Sequence, residues 1–279
     1  MRVAIIGAGV MGKDVAITCA AHGHDVILVD NDPQVRDGLG AVIRQLVRQF
    51  KLTTPGASEW DSEAIKNAIE VRADLSAVAG AEWIVENISE RIEAKQDLYG
   101  GLADVVGTAH VAINTSCISI TQLAQQLPAP DRVLGMHFMN PVPLINGIEV
   151  IRGHRTSEET VQESRRFAES LGKEAIVVDD APGFVSNRLS HLFMNEAAFL
   201  VQDGVAGPAE IDAVFTKGYG HSMGPLATAD LIGLDTVVDS LDVLYREFQD
   251  SKFRCCPLLR RMVRAGDLGR KSGRGFFTY

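Results

Sequence analysis

Val3-Ala4-Ile5-Ile6-Gly7-Ala8-Gly9-Val10-Met11-Gly12 is the stretch of this 279-residue chain that decides its fold. The apolar run Val3 to Ile6 reads as a buried parallel strand. Gly7-x-Gly9-x-x-Gly12 follows at once, then a helical pattern carrying Val15, Ile17 and Ala20. Each glycine has a physical task. Gly7 permits the tight turn, Gly9 lets backbone approach a pyrophosphate, and Gly12 lets the helix pack closely on the strand. The helix N-terminus then offers unpaired N–H groups and a positive dipole end to phosphates. A second apolar run, Val26 to Val29, ends in Asp30. An acid roughly 20 residues past the glycines suits a ribose 2′-hydroxyl and repels a 2′-phosphate. The expected cofactor is NAD rather than NADP.

Composition sets the surroundings of that motif. A hydrophobic content of 46% with 23% charged residues is that of a globular protein. No apolar run reaches the ~20 residues that span a bilayer, so no membrane association is expected. The chain opens on a core strand, which leaves no room for a signal peptide. Cys19, Cys117, Cys255 and Cys256 lack metal-ligand spacing, and the last two are adjacent, a poor geometry for a mutual disulfide. A cytoplasmic, reducing setting is the simplest reading. A net charge of −9 argues against general nucleic-acid binding. His22, His24, His110, His154, His191 and His221 show no ligand spacing and read as structural or surface residues.

Further along, Pro33 opens a helix with Val35, Leu39, Val42, Ile43, Leu46 and Val47 at helical spacing. Pro55-Gly56 breaks it, and Ser62 to Ile69 reads as another helical piece. Trp83 to Val85, Val111 to Ile113, Val133 to Phe138, Ile148 to Ile151 and Ala175 to Val178 read as strands, with helices through Leu98 and over Glu158 to Leu171. Strands alternating with helices predict a parallel sheet covered on both faces, with ligands beyond the carboxyl ends of the strands. Ser116 and His137 fall at such ends. Past Asp180 the apolar spacing is helical, over Phe184 to Leu200, Ile211 to Phe215, Leu226 to Leu244 and Leu258 to Val263, with a strand-like signal only at Phe276-Phe277. The fold class is therefore α/β. A Rossmann-type parallel-sheet domain over residues 1–180 is followed by an all-helical C-terminal domain over 181–279, which is expected to bury Leu231, Ile232, Leu234 and Val238.

The motifs together resemble the 3-hydroxyacyl-CoA dehydrogenases, including the short bacterial 3-hydroxybutyryl-CoA dehydrogenases. The matching stretches include Gly7-x-Gly9-x-Met11-Gly12, Glu86-x-x-x-Glu90-x-x-x-x-Lys95, Asn114-Thr115-Ser116 and Gly135-Met136-His137-Phe138-Met139-Asn140-Pro141. Ile148-Glu149-Val150-Ile151, Ala181-Pro182-Gly183-Phe184-Val185-x-Asn187-Arg188 and Gly269-Arg270-Lys271-Ser272-Gly273 continue it in order. The resemblance implies oxidation of an L-3-hydroxyacyl thioester to the 3-ketoacyl thioester, with hydride passing to NAD. It implies His137 as general base, Glu149 as its partner, and Ser116 and Asn187 on the substrate oxygens. Gly7, Gly9, Met11, Gly12, Asp30, Glu90, Lys95, Asn114, Asn140 and Lys271 would lie at the cofactor, no metal is called for, and the helical domain would form a homodimer. The chemistry agrees, because imidazole titrates near neutrality and a carboxylate raises its basicity. Each residue type also has a plainer use. His137 suits a core hydrogen bond and Glu149 an edge strand. Ser116 and Asn187 suit helix caps, Glu90 and Lys95 suit the decoration of a helix, and Lys271 suits solvent.

Four positions depart from that family's pattern. Leu46 and Thr53 stand where CoA-using members place a serine and a lysine against the CoA portion, with Arg48 and Lys51 nearby. Cys117 replaces a usual serine and Asn146 a common lysine. The chain also resembles the dehydrogenases that oxidise a glyceryl group on an acyl carrier protein in polyketide extender-unit pathways. Carrier proteins are acidic, and Arg254, Arg260, Arg261, Arg264, Arg270, Lys271 and Arg274 make this C-terminal segment basic. CoA is the first expectation for the acyl carrier, a carrier protein the second. A non-catalytic NAD-binding protein is the third reading.

Overall fold

A computed structural model describes residues 1–279. The chain divides into two compact units, Met1–Ala181 and Pro182–Tyr279. The first holds one eight-stranded sheet in the order β3-β2-β1-β4-β5-β6-β7-β8. Its strands are β1 (Arg2–Ile6), β2 (Asp25–Val29), β3 (Ile69–Arg72), β4 (Trp83–Glu86), β5 (His110–Ile113), β6 (Val133–Phe138), β7 (Gly147–Arg152) and β8 (Glu174–Asp179). Its helices are α1 (Val10–Ala21), α2 (Pro33–Thr53), α3 (Ser62–Asn67), α4 (Ile92–Leu102), α5 (Ile120–Ala124) and α6 (Glu158–Ser170).

Two features depart from the sequence reading. Ile69 is not the end of a helical piece but the start of β3, which pairs in parallel with β2. This strand is four residues long and sits at the sheet edge, where alternating charges keep the edge solvated and blur the apolar signal. The sheet is also not wholly parallel, because β7 runs antiparallel to β6. Parallel neighbours need a crossover of about a dozen residues or more. Residues 139–146 form no helix and are too few for such a crossover. The chain therefore turns back as a hairpin, and α6 then carries it across to β8, parallel to β7.

Local chemistry starts and stops these elements. Asp32 caps α2 by accepting from Gln34 N–H at 2.8 Å, with Pro33 in the first turn. Ser157 does the same for α6 through Thr160 N–H at 3.1 Å. One sheet face packs Val3, Ile5, Leu28, Val85, Met136 and Val150 against Ile17 of α1, Ile43 of α2 and Phe167 of α6. Such burial stabilises by about 1.5–3 kcal/mol per large apolar side chain. The alternate residues of the same strands, Glu86, Gly135, His137 and Glu149 among them, point to the other face. There Tyr99 of α4 bonds Glu86, and Ile120 of α5 lies so close to Gly135 that a Cβ would sit 2.8 Å from it. The polar machinery is on that second face.

The second unit is helical: α7 (Ser186–Gln202), α8 (Pro208–Ala213) running into a π turn over Val214–Gly218, α9 (Pro225–Ile232), α10 (Leu234–Phe248) and α11 (Pro257–Ala265). Met194, Ala198, Ala229, Val237, Leu241 and Leu259 form its core. The helical stretch expected over Leu226 to Leu244 is two helices, broken at Gly233, whose φ is +105°. Of the residues expected to be buried, Leu234 and Val238 are, but Leu231 and Ile232 are exposed. The buried stripe of α9 is Leu226, Ala229 and Asp230, and the 3.6-residue period turns Leu231 and Ile232 away from it. Phe276-Phe277 is no strand. The tail makes only isolated bridges, and buried Asp230 pins it by accepting from Phe276 N–H, Phe277 N–H and Tyr279 Oη.

Candidate active site

The glycine turn has the geometry a dinucleotide needs. Gly7 has φ +97°, and a Cβ there would lie 2.8 Å from the Asn87 carbonyl. A Cβ on Gly12 would lie 1.8 Å from the Gly7 carbonyl, so only glycine allows α1 to sit this close. A Cβ on Gly9 would meet nothing within 4 Å. Open space therefore lies before the first turn of α1, whose N-cap, Gly9, supplies no side-chain bond. Met11, in that turn, packs against the core. Asp30 accepts from Ala8 N–H at 2.8 Å and from Asp32 N–H at 2.9 Å, which leaves lone pairs for a diol. Beside it opens a cleft of about 500 Å³ lined by Ile6, Val29, Asp30, Ala73, Leu75 and Ile88, apolar enough for an adenine. Ala73 follows β3 directly, so the strand the sequence concealed builds one wall. Ala73, Leu75 and Ile88 carry no local signal for that role.

At the carboxyl ends of β5 and β6 three polar side chains align. His137 and Glu149 face each other across the antiparallel pair of β6 and β7, and His137 Nδ1 lies 3.1 Å from Glu149 Oε2. Both side chains are buried. An ionised Glu149 accepts a hydrogen bond from Nδ1–H, the tautomer that leaves the lone pair on Nε2. Ser116 Oγ is 3.4 Å from that Nε2. The Ser116 turn is itself held, because Glu90 Oε1 accepts from Thr115 Oγ1 at 2.6 Å, Ser116 N–H at 2.8 Å and Cys117 N–H at 3.1 Å. The glycine turn and the Ser116–His137–Glu149 line thus belong to one sheet.

The chain matches the model of the 3-hydroxyacyl-CoA dehydrogenase NAD-binding domain over residues 2–181, and that of the C-terminal domain of the same enzymes over 183–279. The chain belongs to the 3-hydroxyacyl-CoA dehydrogenase family. It is similar to a probable 3-hydroxybutyryl-CoA dehydrogenase of Bacillus subtilis, 43% identical over 100% of this chain and 97% of the relative. A 3-hydroxybutyryl-CoA dehydrogenase of Bradyrhizobium diazoefficiens is 39% identical over 100% of this chain and 95% of its own length. Among solved structures, an (S)-3-hydroxybutyryl-CoA dehydrogenase of Ralstonia eutropha superposes with a TM-score of 0.92 at 37% identity, covering 100% of this chain and 98% of that one. The chain is accordingly an NAD-dependent oxidoreductase of the 3-hydroxyacyl-CoA dehydrogenase family.

Within this dehydrogenase the remaining expected site residues fall in different places. Lys95 lies on α4, facing the carboxyl end of β4. It is fully buried, with Nζ 2.7 Å from both Glu86 oxygens, because an ammonium at that depth requires a counter-ion. Glu90 is exposed and its Oε1 serves the Ser116 turn. Asn114 donates to Asn87 Oδ1 at 2.7 Å and accepts from Phe138 N–H at 3.4 Å. Asn140 is exposed, three residues past His137 on the hairpin. In the second unit Asn187 lies in the first turn of α7, and Lys271 pairs with Asp235 at 2.5 Å.

Two buried ionisable side chains reach the hairpin from other elements, and the sequence carries no local signal for either. Lys173 donates to the carbonyls of Val142 at 2.6 Å and Ile145 at 2.7 Å. Asp14 of α1 takes the Val142 N–H, and burial pushes its carboxyl up to about 6. Val142 is thereby held through both its N–H and its carbonyl. All four cysteines are buried and outside any disulfide, and burial pushes Cys19 up to about 12. No helix is long and apolar enough to cross a membrane.

Proposed function

We propose that this dehydrogenase oxidises the 3-hydroxyl of an L-3-hydroxyacyl-CoA, 3-hydroxybutyryl-CoA in the first instance, with His137 as base. The observation that carries the reading is the line Glu149–His137–Ser116, with His137 and Ser116 at the carboxyl ends of β6 and β5 and Glu149 facing His137 from β7, in the same sheet as the glycine turn. His137 Nε2 takes the hydroxyl proton, and the C3–O bond becomes a carbonyl as the C3 hydrogen leaves with its electron pair. NAD, when bound, accepts that hydride. Glu149 keeps Nδ1 protonated and stabilises the imidazolium as it forms. Ser116 Oγ, beside Nε2, fixes the hydroxyl, and Asn187 is assigned to a second substrate oxygen. The departures at Leu46, Thr53, Cys117 and Asn146 leave this proton path intact.

The carrier-protein reading has weaker support. Arg260 pairs with Asp242 and Arg274 with Asp267, while Arg254 lies over Phe199 and Arg270 over Tyr279. Much of the basic character is thus neutralised or stacked within the unit. The assembly proposed is a cytoplasmic homodimer formed through the second unit, where Leu231, Ile232, Val205 and Tyr219 are exposed. A monomer in sedimentation at micromolar concentration overturns that assembly.

The test of the reaction is steady-state reduction of NAD with 3-hydroxybutyryl-CoA and with the same acyl group on a carrier protein. Turnover on the CoA ester, lost by about 10²–10⁴-fold in His137→Ala, is the expected result. Turnover restricted to the carrier-bound substrate rejects the CoA assignment, and an unaffected His137→Ala rejects the base.

A further inference from the structure

One buried cluster in the first unit is unused by the reaction as described. Glu86 ends β4 with no exposure, and its carboxylate accepts four hydrogen bonds. Ile88 N–H and Lys95 Nζ reach Oε1, each at 2.7 Å. Lys95 Nζ reaches Oε2 at 2.7 Å as well, and Tyr99 Oη reaches it at 2.8 Å. Burial holds the Tyr99 phenol well above its ordinary value, so it stays a donor. Beyond Glu86, Lys95 reaches one other acceptor, the carbonyl of Asn114 at 3.3 Å.

Asn114 is a junction. Its side chain joins Asn87, after β4, to the Phe138 N–H that follows His137, and its own chain continues into Thr115 and Ser116. A buried carboxylate with a buried ammonium is poor value as stabilisation, since apolar side chains of similar volume often do as well or better. It is a good device for fixing one carbonyl in one direction. We infer that Glu86 is a positioning residue for the oxidation: with Tyr99 it orients Lys95 so that the ammonium anchors the Asn114 carbonyl, and this sets the separation of Ser116 from His137. The inference rests on the proton path proposed above. It gives Lys95 work in this chain that needs no contact with the nucleotide, and it brings in Glu86 and Tyr99, neither of which touches a reacting atom.

Two variants test it in the full-length enzyme. Tyr99→Phe removes one hydroxyl, and Glu86→Gln keeps the shape while removing the charge that holds Lys95. Folded sites are counted by fluorescence titration with NADH, which also gives Kd, and kcat and KM are expressed per folded site. The expected result is a fall in kcat of about 3–10-fold for Tyr99→Phe and more than about tenfold for Glu86→Gln, as small misplacements of reacting groups produce. The NADH Kd and the KM for NAD should stay within about 3-fold, and the double variant should be no slower than Glu86→Gln, because Tyr99 acts through Glu86. Should Glu86→Gln fail to fold, Tyr99→Phe decides alone. Unchanged kcat per folded site overturns the inference. So does a Kd raised about 30-fold or more with kcat preserved at saturation, which would make the cluster a nucleotide-binding device. His137→Ala assayed alongside separates the two failures. Near-normal turnover there rejects the base, whereas loss there with kcat unchanged in the other variants rejects only the positioning role.

Discussion

Gly9→Ala and Gly12→Ala differ by one methyl group placed three residues apart, and the structure assigns them opposite consequences. At Gly12 the added carbon would lie 1.8 Å from the Gly7 carbonyl oxygen and 2.9 Å from its carbon. Neither atom can yield, since Gly7 is itself confined at φ +97° against the Asn87 backbone. Helix α1 must then withdraw from β1. Overpacking ordinarily costs about 1–3 kcal/mol, and a backbone clash this severe belongs at or above the top of that range. About 3 kcal/mol lowers the melting temperature of a unit of this size by roughly 6–12 °C. At Gly9 the added carbon meets nothing, and φ −64°, ψ −165° suits alanine, so the cost is the lost N-cap preference of about 0.5–1 kcal/mol. The same methyl group fills the open space before α1, and NADH affinity should fall at least tenfold, about 1.4 kcal/mol. Thermal melting without ligand and fluorescence titration with NADH separate the two effects. A Gly9→Ala protein that binds NADH normally, or a Gly12→Ala protein that melts normally, would refute the reading of the turn.

Three further outcomes are expected. Glu149→Gln should lower kcat by about 10²–10⁴-fold in steady-state assays, because an amide can present N–H to Nδ1 and favour the wrong tautomer; a loss under threefold counts against the pairing. Asp14 binds a proton in the native state up to about pH 6, whereas the unfolded chain releases it near the ordinary carboxyl value, so its contribution to stability falls as pH rises across that window. Asp14→Asn should therefore be more stable than the wild type at pH 8, by about 1–2 kcal/mol after allowing for screening, with the difference gone at pH 4. Melting curves at the two pH values check this. Lys173→Met leaves two buried carbonyls without their donor, about 3 kcal/mol in all, and the first unit should melt roughly 6–12 °C lower.

Much of the site was legible because its signals are local. A strand, three glycines, a helix start and an acid at the end of the next strand lie within about thirty residues. Their spacing follows from turn sterics rather than from distant contacts. His137 and Ser116 were found because strand ends are marked by where apolar runs stop. Glu149 was legible only through the resemblance, since nothing local distinguishes an acid on an edge strand from one aimed at a histidine. The burial of Lys95 is not legible in the sequence, because its counter-ion Glu86 is nine residues away on another element.

The sequence by itself determined the alternation of strands and helices, the dinucleotide turn and the position of the break between a sheet unit and a helical unit. These follow from periodicity, from glycine sterics and from the apolar run each buried strand must carry. Tertiary structure decided the rest: β3 as an edge, β7 reversed against β6, the register that sets Glu149 opposite His137, and the burial of Glu86 with Lys95. Each of those depends on which strands become neighbours, and pairing energy lies between segments far apart in the chain, where no local pattern records it.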